Sequence, residues 1–296
     1  MIPGSLDRVI CAFFPDTHTR LTIANVTDTA RTLERNHHCG PTAGLIQAEL
    51  VGGATLLGTQ LERPGQAISL RLNLPEGAIG GASIECTAAF TIRGYTRQKV
   101  LADLDDATEI TDEEVFQKAL GTTAQCGVVI SEGTSATNAL FNVTSKHCIS
   151  IADVIEEYFR SSLQRTALVQ ISGASEKGYV SCVHAMMCEC FPETDSAVCE
   201  RIEERFDTEE IARLLNNGAD LQTTAAALGL GEATDLHEHP VRFACPCSSE
   251  RVMTMLSSLP KPDLEAMIAE GKTHDIFCHM CGKGFSVTPE QLKMLL

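Results

Sequence analysis

Cys245-Pro246-Cys247 and, after thirty intervening residues, Cys278-His279-Met280-Cys281 decide how the C-terminal part of this chain folds. A CxC motif and a CxxC motif at this separation can converge on one tetrahedral metal centre. Four thiolates suit zinc, which brings no redox chemistry of its own. We therefore predict one Zn²⁺ per chain, with these four cysteines as ligands. Because thiolates can be oxidised, such a centre can also serve as a redox switch.

The segment around these cysteines, residues 241–296, is expected to fold only with its metal. About 55 residues with few large side chains make a poor core. The spacing of apolar residues predicts a helix over 252–259, a second over 262–270, and a last helix that begins with a capping box at Thr288. Bound zinc would supply the missing folding energy, on the order of 10 kcal/mol.

Two histidines, His274 and His279, lie close to the cysteines in sequence and could replace one of them as a ligand. Four cysteines already fill a tetrahedral site, so we interpret both histidines as bystanders. A site filled in this way has no open position for a bound water, which argues against hydrolytic zinc catalysis.

The composition limits the class of protein. The chain has 296 residues, 44% of them hydrophobic, and a formal net charge of −16. The negative charge argues against nucleic-acid or membrane partners. The apolar run over residues 9–14 is too short for a signal peptide, and no segment approaches the ~20 apolar residues needed to cross a bilayer. We expect a cytoplasmic protein with mostly reduced cysteines.

The sequence predicts an α+β fold in three parts, the first an N-terminal mixed sheet-and-helix domain over residues 1–192. Apolar spacing favours a helix over 27–38 and a second over 41–61 that is rich in small residues, which permit close packing. Ser150 is expected to cap a helix over 151–164. Strands are predicted at 68–72, 84–92, 127–130, 139–143, 167–171 and 179–187.

Residues 193–240 differ sharply in composition and separate this domain from residues 241–296. Twelve acidic residues and three arginines give this segment a charge of −9. Helices are predicted over 197–206 and 208–217, and few large apolar residues are available to anchor them. We interpret the segment as a metastable acidic helical linker that opens easily. The alternative is a solvated acidic linker without such a role.

Nine of the thirteen cysteines lie outside the quartet. We interpret most of them as small buried apolar residues: Cys11, Cys39, Cys86, Cys126, Cys148, Cys182, Cys188, Cys190 and Cys199. Cys188-Glu189-Cys190 is a second CxC motif, but no downstream CxxC remains to pair with it. A metal or redox role for this motif is therefore not the favoured interpretation.

Several stretches of the sequence together resemble the motifs of one known family. They are Leu33-Glu34-Arg-Asn-His, Glu157-Tyr158-Phe159-Arg-Ser-Ser162-Leu-Gln164, Val241-Arg-Phe243, Cys245-Pro-Cys247-Ser-Ser-Glu-Arg251, Leu-Ser-Ser-Leu-Pro260, Ile268-Ala-Glu270-Gly and Cys278-His-Met-Cys281-Gly282. The family that they resemble is the heat shock protein 33 family, the bacterial 33 kDa chaperonin. The similarity is strongest at the C-terminus and looser elsewhere, and it extends over nearly the whole chain.

The resemblance implies a redox-regulated, ATP-independent holdase of the stress response rather than an enzyme. The reduced, zinc-bound form would be inactive. Oxidation would form the disulfides Cys245–Cys247 and Cys278–Cys281 and release zinc. Residues 241–296, as a redox-switch domain, and the linker would then unfold, so that residues 1–192 bind unfolded client proteins. The activated form would be a homodimer.

Two segments depart from the family pattern. Ser181 to Cys190 stands where the family has a Gly-Gly-rich apolar strand, and Ala225 to Gly231 replaces a large apolar and acidic stretch at the end of the linker. Both departures bear on the activation threshold and on client affinity.

Two other classes of function remain open on the motif alone. One is a zinc-ribbon nucleic-acid binder, which the charge and the lack of a basic, aromatic-lined face oppose. The other is a thiol–disulfide oxidoreductase, which usually needs its CxxC at a helix N-terminus in a thioredoxin-like setting.

Overall fold

The structure is a computed structural model that describes residues 6–106 and 112–296. Its N-terminal part contains strands β1 (Arg8–Phe14), β2 (Thr19–Asn25), β3 (Gln66–Asn73), β4 (Gly81–Thr87), β5 (Thr91–Thr96), β6 (Thr123–Glu132), β7 (Ser135–Thr144), β8 (Thr166–Glu176) and β9 (Tyr179–Cys190). The helices of this part are α1 (Thr27–His37), α2 (Pro41–Gly58), α3 (Ala102–Asp105), α4 (Asp112–Leu120) and α5 (Ile151–Tyr158), the last continued by a π-helical turn, Phe159–Leu163. The α+β class predicted from the sequence is confirmed.

The remaining elements follow in the acidic segment and around the cysteines. The acidic segment contains helices α6 (Ser196–Phe206), α7 (Glu209–Asn216) and α8 (Leu221–Leu228), followed by strand β10 (Thr234–Pro240). The last part contains β11 (Arg242–Phe243), α9 (Ser249–Leu256), α10 (Lys261–Ala269), β12 (His274–Phe277), β13 (Gly284–Val287) and α11 (Pro289–Lys293).

Two sheets pack on the central helix α2. One has the strand order β10-β1-β2-β9-β8, and the other has the order β11-β5-β4-β3-β6-β7. Gly52 faces the first sheet, since an added Cβ there would lie 3.2 Å from side-chain atoms of Ala185 and Ile171. A Cβ on Gly53 would lie 2.9 Å from Ile151 and Ile155 of α5. The small residues of this helix therefore allow the close packing that the sequence predicts.

One predicted strand is split in the structure. The alternation of apolar residues over 84–92 predicts a single strand, but a turn at Ala88–Phe90 separates β4 from β5. Phe90 has φ = 51° there and is still buried, so the period-two pattern continues through the turn. The elements that the sequence analysis did not predict are strands β1, β2, β10, β11, β12 and β13 and helices α3, α4 and α8.

The acidic segment is better anchored than its sequence suggests. Its three helices and the residues that follow them contribute to a second hydrophobic core, formed against β1, β2 and β9. The buried apolar residues of the segment are Ile202, Phe206, Ile211, Leu215, Leu221, Ala225, Leu228 and Leu230. The expectation of sparse anchoring is wrong for this conformation, because apolar partners such as Leu21 and Met186 come from distant strands.

The part of the chain around the four cysteines has a small core of its own. Leu256, Leu264, Val287 and Leu292 form it, with partly buried residues packed around them. So few large buried side chains supply little stability, as the sequence predicts for a metal-dependent fold. Among the described residues, no helix combines the length and the apolar character that crossing a bilayer requires.

Candidate metal centre

The first pair of cysteines follows strand β11, which extends the second sheet. β11 runs parallel to β5, and the backbone N–H of Ala244 donates to the Ile92 carbonyl at 3.2 Å. Cys245 and Cys247 come directly after this strand. Ser248 then caps α9, its side chain accepting the N–H of Arg251 at 3.3 Å. The CxC motif is thus fixed between the sheet of the N-terminal part and the first helix of the C-terminal part.

The second pair lies in the turn between the antiparallel strands β12 and β13. The N–H of Cys278 donates to the Lys283 carbonyl at 2.9 Å, and the N–H of Gly282 donates back to the Cys278 carbonyl at 2.8 Å. Gly282 has φ = 72°, a conformation that side-chain-bearing residues rarely adopt. The turn places Cys278 and Cys281 side by side.

The structure brings the four sulfur atoms together, as the motif spacing predicts. All four Sγ atoms lie within 4.8 Å of one another. Cys245 Sγ is 3.8 Å from Cys278 Sγ, and Cys247 Sγ is 3.3 Å from Cys281 Sγ. A tetrahedral zinc at about 2.3 Å from each sulfur would separate the sulfurs by about 3.8 Å. The donor set and its dimensions therefore fit a zinc ion, although the assignment of these residues as ligands stays a prediction.

Arg93 of β5 gives Cys245 an electrostatic environment different from that of its neighbours. The Arg93 guanidinium donates to Cys245 Sγ at 3.8 Å and pairs with the Glu85 carboxylate at 2.7 Å. Burial acts to raise the pKa of Cys245, but hydrogen bonds from the Cys247 backbone and from Arg93 outweigh it, so the pKa is lowered. Burial raises the pKa of Cys247 and of Cys281. Cys245 is thus the thiol most easily ionised of these three.

The CxxC turn also contacts the N-terminal part directly. The N–H of Gly94 in β5 donates to the Met280 carbonyl at 3.0 Å, while the buried Gln47 of α2 donates to the Gly94 carbonyl at 3.2 Å. Gly282 lies against the backbone of α1, where an added Cβ would be 2.1 Å from the Asn36 carbonyl oxygen. The cysteine centre is therefore packed against both the second sheet and α1.

The two neighbouring histidines have other contacts. His274 Nε2 lies 3.1 Å from the Met267 carbonyl oxygen, and the His279 ring centroid lies 6.0 Å from that of Tyr95. In the described part of the chain, the cluster capable of holding a metal contains the four cysteines and neither histidine. The CxxC motif sits in a hairpin turn rather than at a helix N-terminus, which does not match the setting of a thioredoxin-like redox motif.

Sequence reasoning missed the contribution of the N-terminal part to this centre. Arg93 is 152 residues from Cys245, and Gly94 is even farther in sequence from the CxxC turn. Neither belongs to a motif, so the sequence carries no signal that assigns them to the site.

The chain matches the model of a protein family described as "Hsp33 protein" over residues 7–288. It belongs to the Hsp33 family. Two relatives named "33 kDa chaperonin" come from Bacillus pumilus and Thermodesulfovibrio yellowstonii. They are 26% and 25% identical to this chain, with 98% of this chain covered in each case and 98% and 99% of the relative.

A solved structure has the same overall fold. The crystal structure of the 33 kDa chaperonin, an Hsp33 homologue, from Thermotoga maritima matches with a TM-score of 0.85 and 20% sequence identity. The match covers 98% of each chain. The Hsp33 architecture therefore extends over the N-terminal sheets, the acidic segment and the cysteine centre together, and the resemblance found in the motifs is confirmed.

Proposed function

We propose that this Hsp33-family chain is a redox-regulated, ATP-independent molecular chaperone that binds unfolding proteins and has no enzymatic activity. The observation that carries the proposal is the convergence of Cys245, Cys247, Cys278 and Cys281 at a place where they contact the N-terminal sheet. In the proposed division of labour, residues 1–192 bind clients, 193–240 form the linker, and 241–296 form the switch.

In the reduced protein, the four thiolates would hold one Zn²⁺. Bound zinc would supply the folding energy that the core of Leu256, Leu264, Val287 and Leu292 lacks. With the CxxC turn ordered, Met280 and Gly282 can pack against β5 and α1. We infer that this packing keeps the C-terminal part in place, and with it the adjacent linker.

Oxidation of the thiolates removes the ligands. In each step, one cysteine sulfur attacks hydrogen peroxide, so that the O–O bond breaks and a sulfenic acid and water form. A second thiol attacks that sulfur, the S–O bond breaks, and the hydroxide leaves as water. Two disulfides thus consume four thiols and two molecules of peroxide, and release four molecules of water. Neither disulfide could bind zinc as the four thiolates would.

The proposed disulfides are Cys245–Cys247 and Cys278–Cys281. The sulfur contacts of 3.8 Å and 3.3 Å join the two motifs, whereas the proposed bonds lie within them. Bonds between the motifs would hold β11 and the hairpin in their folded arrangement. Bonds within the motifs leave β11 and the hairpin free to separate, which agrees with the proposed unfolding of residues 241–296.

The surface that binds client proteins would come from the second hydrophobic core. Opening of the linker would expose apolar side chains of β1, β2 and β9, including Phe14, Leu21 and Met186. It would also free the apolar faces of the linker helices, which carry Phe206 and Leu215. Exposed apolar surface of this kind binds unfolded chains. We propose that the activated form is a cytoplasmic homodimer, without nucleic-acid or membrane partners.

The proposed activity is tested by the aggregation of a heat-unfolded client protein. The reduced, zinc-loaded protein is expected to slow this aggregation little, and the oxidised, zinc-free protein to suppress it without nucleotide. Light scattering measures both, and reductant with added zinc should reverse the effect. Suppression that requires ATP, or that is equal in the two forms, would rule out the proposed regulation.

Arg93 provides a test of the contact between the switch and the sheet. Replacing Arg93 with Gln removes a charged hydrogen-bond donor to Cys245 Sγ. Loss of such an outer contact typically weakens metal affinity about 10–100-fold. We expect that loss in a chelator competition titration, with Arg63→Gln as the control, because Arg63 pairs with Glu132 at an exposed site. Equal zinc affinities in the two variants would contradict the role of Arg93.

A further inference from the structure

A histidine lies beneath the linker, on the face of the first sheet that carries the second core. His184 belongs to β9 and precedes Met186 by two residues, so both side chains share the face that the linker covers. In the neighbouring strands, His184 lies opposite Asn25 of β2 and Ser172 of β8. The strands on either side therefore place uncharged residues beside the imidazole.

The turn between α7 and α8 closes over this histidine. Gly218 in that turn has φ = 64°, and a Cβ added to it would lie 3.0 Å from His184 Nε2. Leu215 of α7 and Leu221 of α8 flank the turn and are buried in the second core. His184 thus meets the backbone of the linker at the point where two of its helices are joined.

One of the two ring nitrogens of His184 is shut off from water. Its Nδ1 atom is buried and has no hydrogen-bond partner among the described residues. A neutral imidazole carries a proton on one nitrogen and a lone pair on the other, so Nδ1 can stay unprotonated here. Protonation would place a charged N–H group where no acceptor receives it, which costs free energy. The docked linker therefore favours the neutral ring.

Two charged residues, Arg8 of β1 and Asp220, line the same cavity as His184, a space of about 270 Å³ between the sheet and the linker. Arg8 pairs with Glu238 of β10 at 3.2 Å. The Asp220 carboxylate caps α8 by accepting the backbone N–H of Thr223 at 2.8 Å. Each of these charges therefore has a partner other than His184.

The titratable groups of the other elements around this part of β9 have different positions. Arg31 of α1 donates to two backbone carbonyls of β9, and α2 packs on the opposite face of the strand. Cys182 shares the strand face of His184. The charged residues of α7 are exposed: Glu209, Glu210 and Arg213. Burial is the largest influence on the His184 imidazole, and it lowers the pKa of the ring.

We propose that His184 is an acid sensor and that its protonation releases the turn between α7 and α8 from the sheet, so that mild acid opens the linker without oxidation. In the open linker, the ring meets water and titrates near the ordinary pKa of about 6.5. The pKa of the docked ring is lower, so the docked form binds fewer protons than the open form. Docking is therefore strongest above about pH 6.5 and weakens as the pH falls below that value.

The release would act beside the redox switch. Leu215 and Leu221 would leave the second core together with the turn, which exposes apolar residues of β2 and β9 while the four cysteines stay reduced. Binding of clients to that surface rests on the proposed function, whereas opening of the linker by acid does not.

Amide NMR spectra of the reduced, zinc-loaded, full-length protein between about pH 7.5 and pH 5.5 test the proposal. We expect the resonances of residues 209–228 to lose their dispersion with a midpoint below about pH 6.5, while those of residues 241–296 stay dispersed. Zinc content, measured in the same samples, should stay constant. The imidazole resonances of His184 should report a pKa below about 6.5.

Two substitutions remove the titratable ring, and a third provides the control. His184→Gln keeps a hydrogen-bonding side chain, and His184→Phe keeps an aromatic ring. Both variants should hold the linker resonances dispersed at the acid end of the series. His147→Gln, at an exposed site between β7 and α5, should keep the acid response of the unsubstituted protein.

Four results would overturn the proposal. They are linker resonances that stay dispersed at the acid end in the unsubstituted protein, an acid response that is unchanged in both His184 variants, a His184 pKa at or above about 6.5, and release of zinc together with opening of the linker in every protein. The last result would place the acid response at the four cysteines. The titration of the ring decides the matter even where a variant fails to dock its linker.

Aggregation of a client protein at the acid end of the series separates this proposal from the proposed function. A linker that opens without suppressing aggregation would support the sensor and refute the chaperone function. Suppression that requires peroxide, in a protein whose linker stays closed in acid, would refute the sensor alone.

Discussion

Replacing Cys278 with Ser is expected to abolish zinc binding and to unfold residues 241–296 while the N-terminal sheets stay folded. Three thiolates and a hydroxyl make a much weaker zinc site than four thiolates. The free energy lost is on the order of 10 kcal/mol, because zinc binding and folding of so small a core are one process. The small core of Leu256, Leu264, Val287 and Leu292 cannot replace that contribution.

Zinc stoichiometry and backbone NMR together check this expectation. The variant should contain no zinc. The amide resonances of residues 241–296 should move into the narrow chemical-shift range of an unfolded chain, while those of the residues packed around α2 stay dispersed. Cys182→Ser is the matched control, since Cys182 lies in β9 outside the quartet and should retain one zinc per chain. An unchanged zinc content in the Cys278 variant would refute the ligand assignment.

Replacing Phe206 with Ala is expected to open the linker without any oxidation. Phe206 is 2% exposed and lies in the second core, which joins the linker to the sheet. Truncation of a buried phenylalanine typically costs about 3–5 kcal/mol. This loss is expected to shift the segment toward the open state in the reduced, zinc-loaded protein.

Limited proteolysis of the reduced protein measures the effect of this substitution. The first cuts should fall within residues 193–240, and aggregation of a client should slow without peroxide. Leu236→Ala is the control, because Leu236 is 56% exposed in β10 and its truncation removes no core contact. Initial cleavage inside residues 41–171 would mean that the N-terminal domain, rather than the linker, is the weaker part.

Local signals in the sequence predict local structure well. Ser150 caps α5 with a reciprocal bond to Asp153, and Thr288 forms the predicted capping box with Gln291. Helix α2 begins at Pro41, as a proline in a first helical turn indicates. The motif spacing also predicts the meeting of the four sulfurs, because a CxC and a CxxC can face each other in few ways.

Contacts between distant segments account for most of what the sequence does not predict. The linker helices pack against Leu21 and Met186, which belong to strands distant in sequence. A count of the apolar residues inside the linker therefore underestimates how well it is anchored. Strand β10 is exposed along its length and pairs with β1 through backbone hydrogen bonds, which leave no hydrophobic pattern. The contact of Arg93 with Cys245 likewise depends on the parallel pairing of β11 with β5.

Four of the nine cysteines outside the quartet are buried, and the other five are partly buried. Cys86 and Cys126 are buried in the main core, as expected of small apolar residues. The Cys188-Glu189-Cys190 motif has no second motif in the sequence to pair with. In the structure both cysteines of this motif are buried, Cys188 at 0% and Cys190 at 3% exposure, as the apolar interpretation predicts.

The most direct measurement follows zinc release and chaperone activity in the same samples across a range of peroxide concentrations. A chromogenic chelator reports the released zinc, and light scattering of a heat-unfolded client reports the activity. We expect suppression of aggregation to rise in step with zinc release, and both to reverse with reductant and zinc. Complete zinc release with aggregation as fast as before would contradict the proposal and leave the four cysteines as a structural site only.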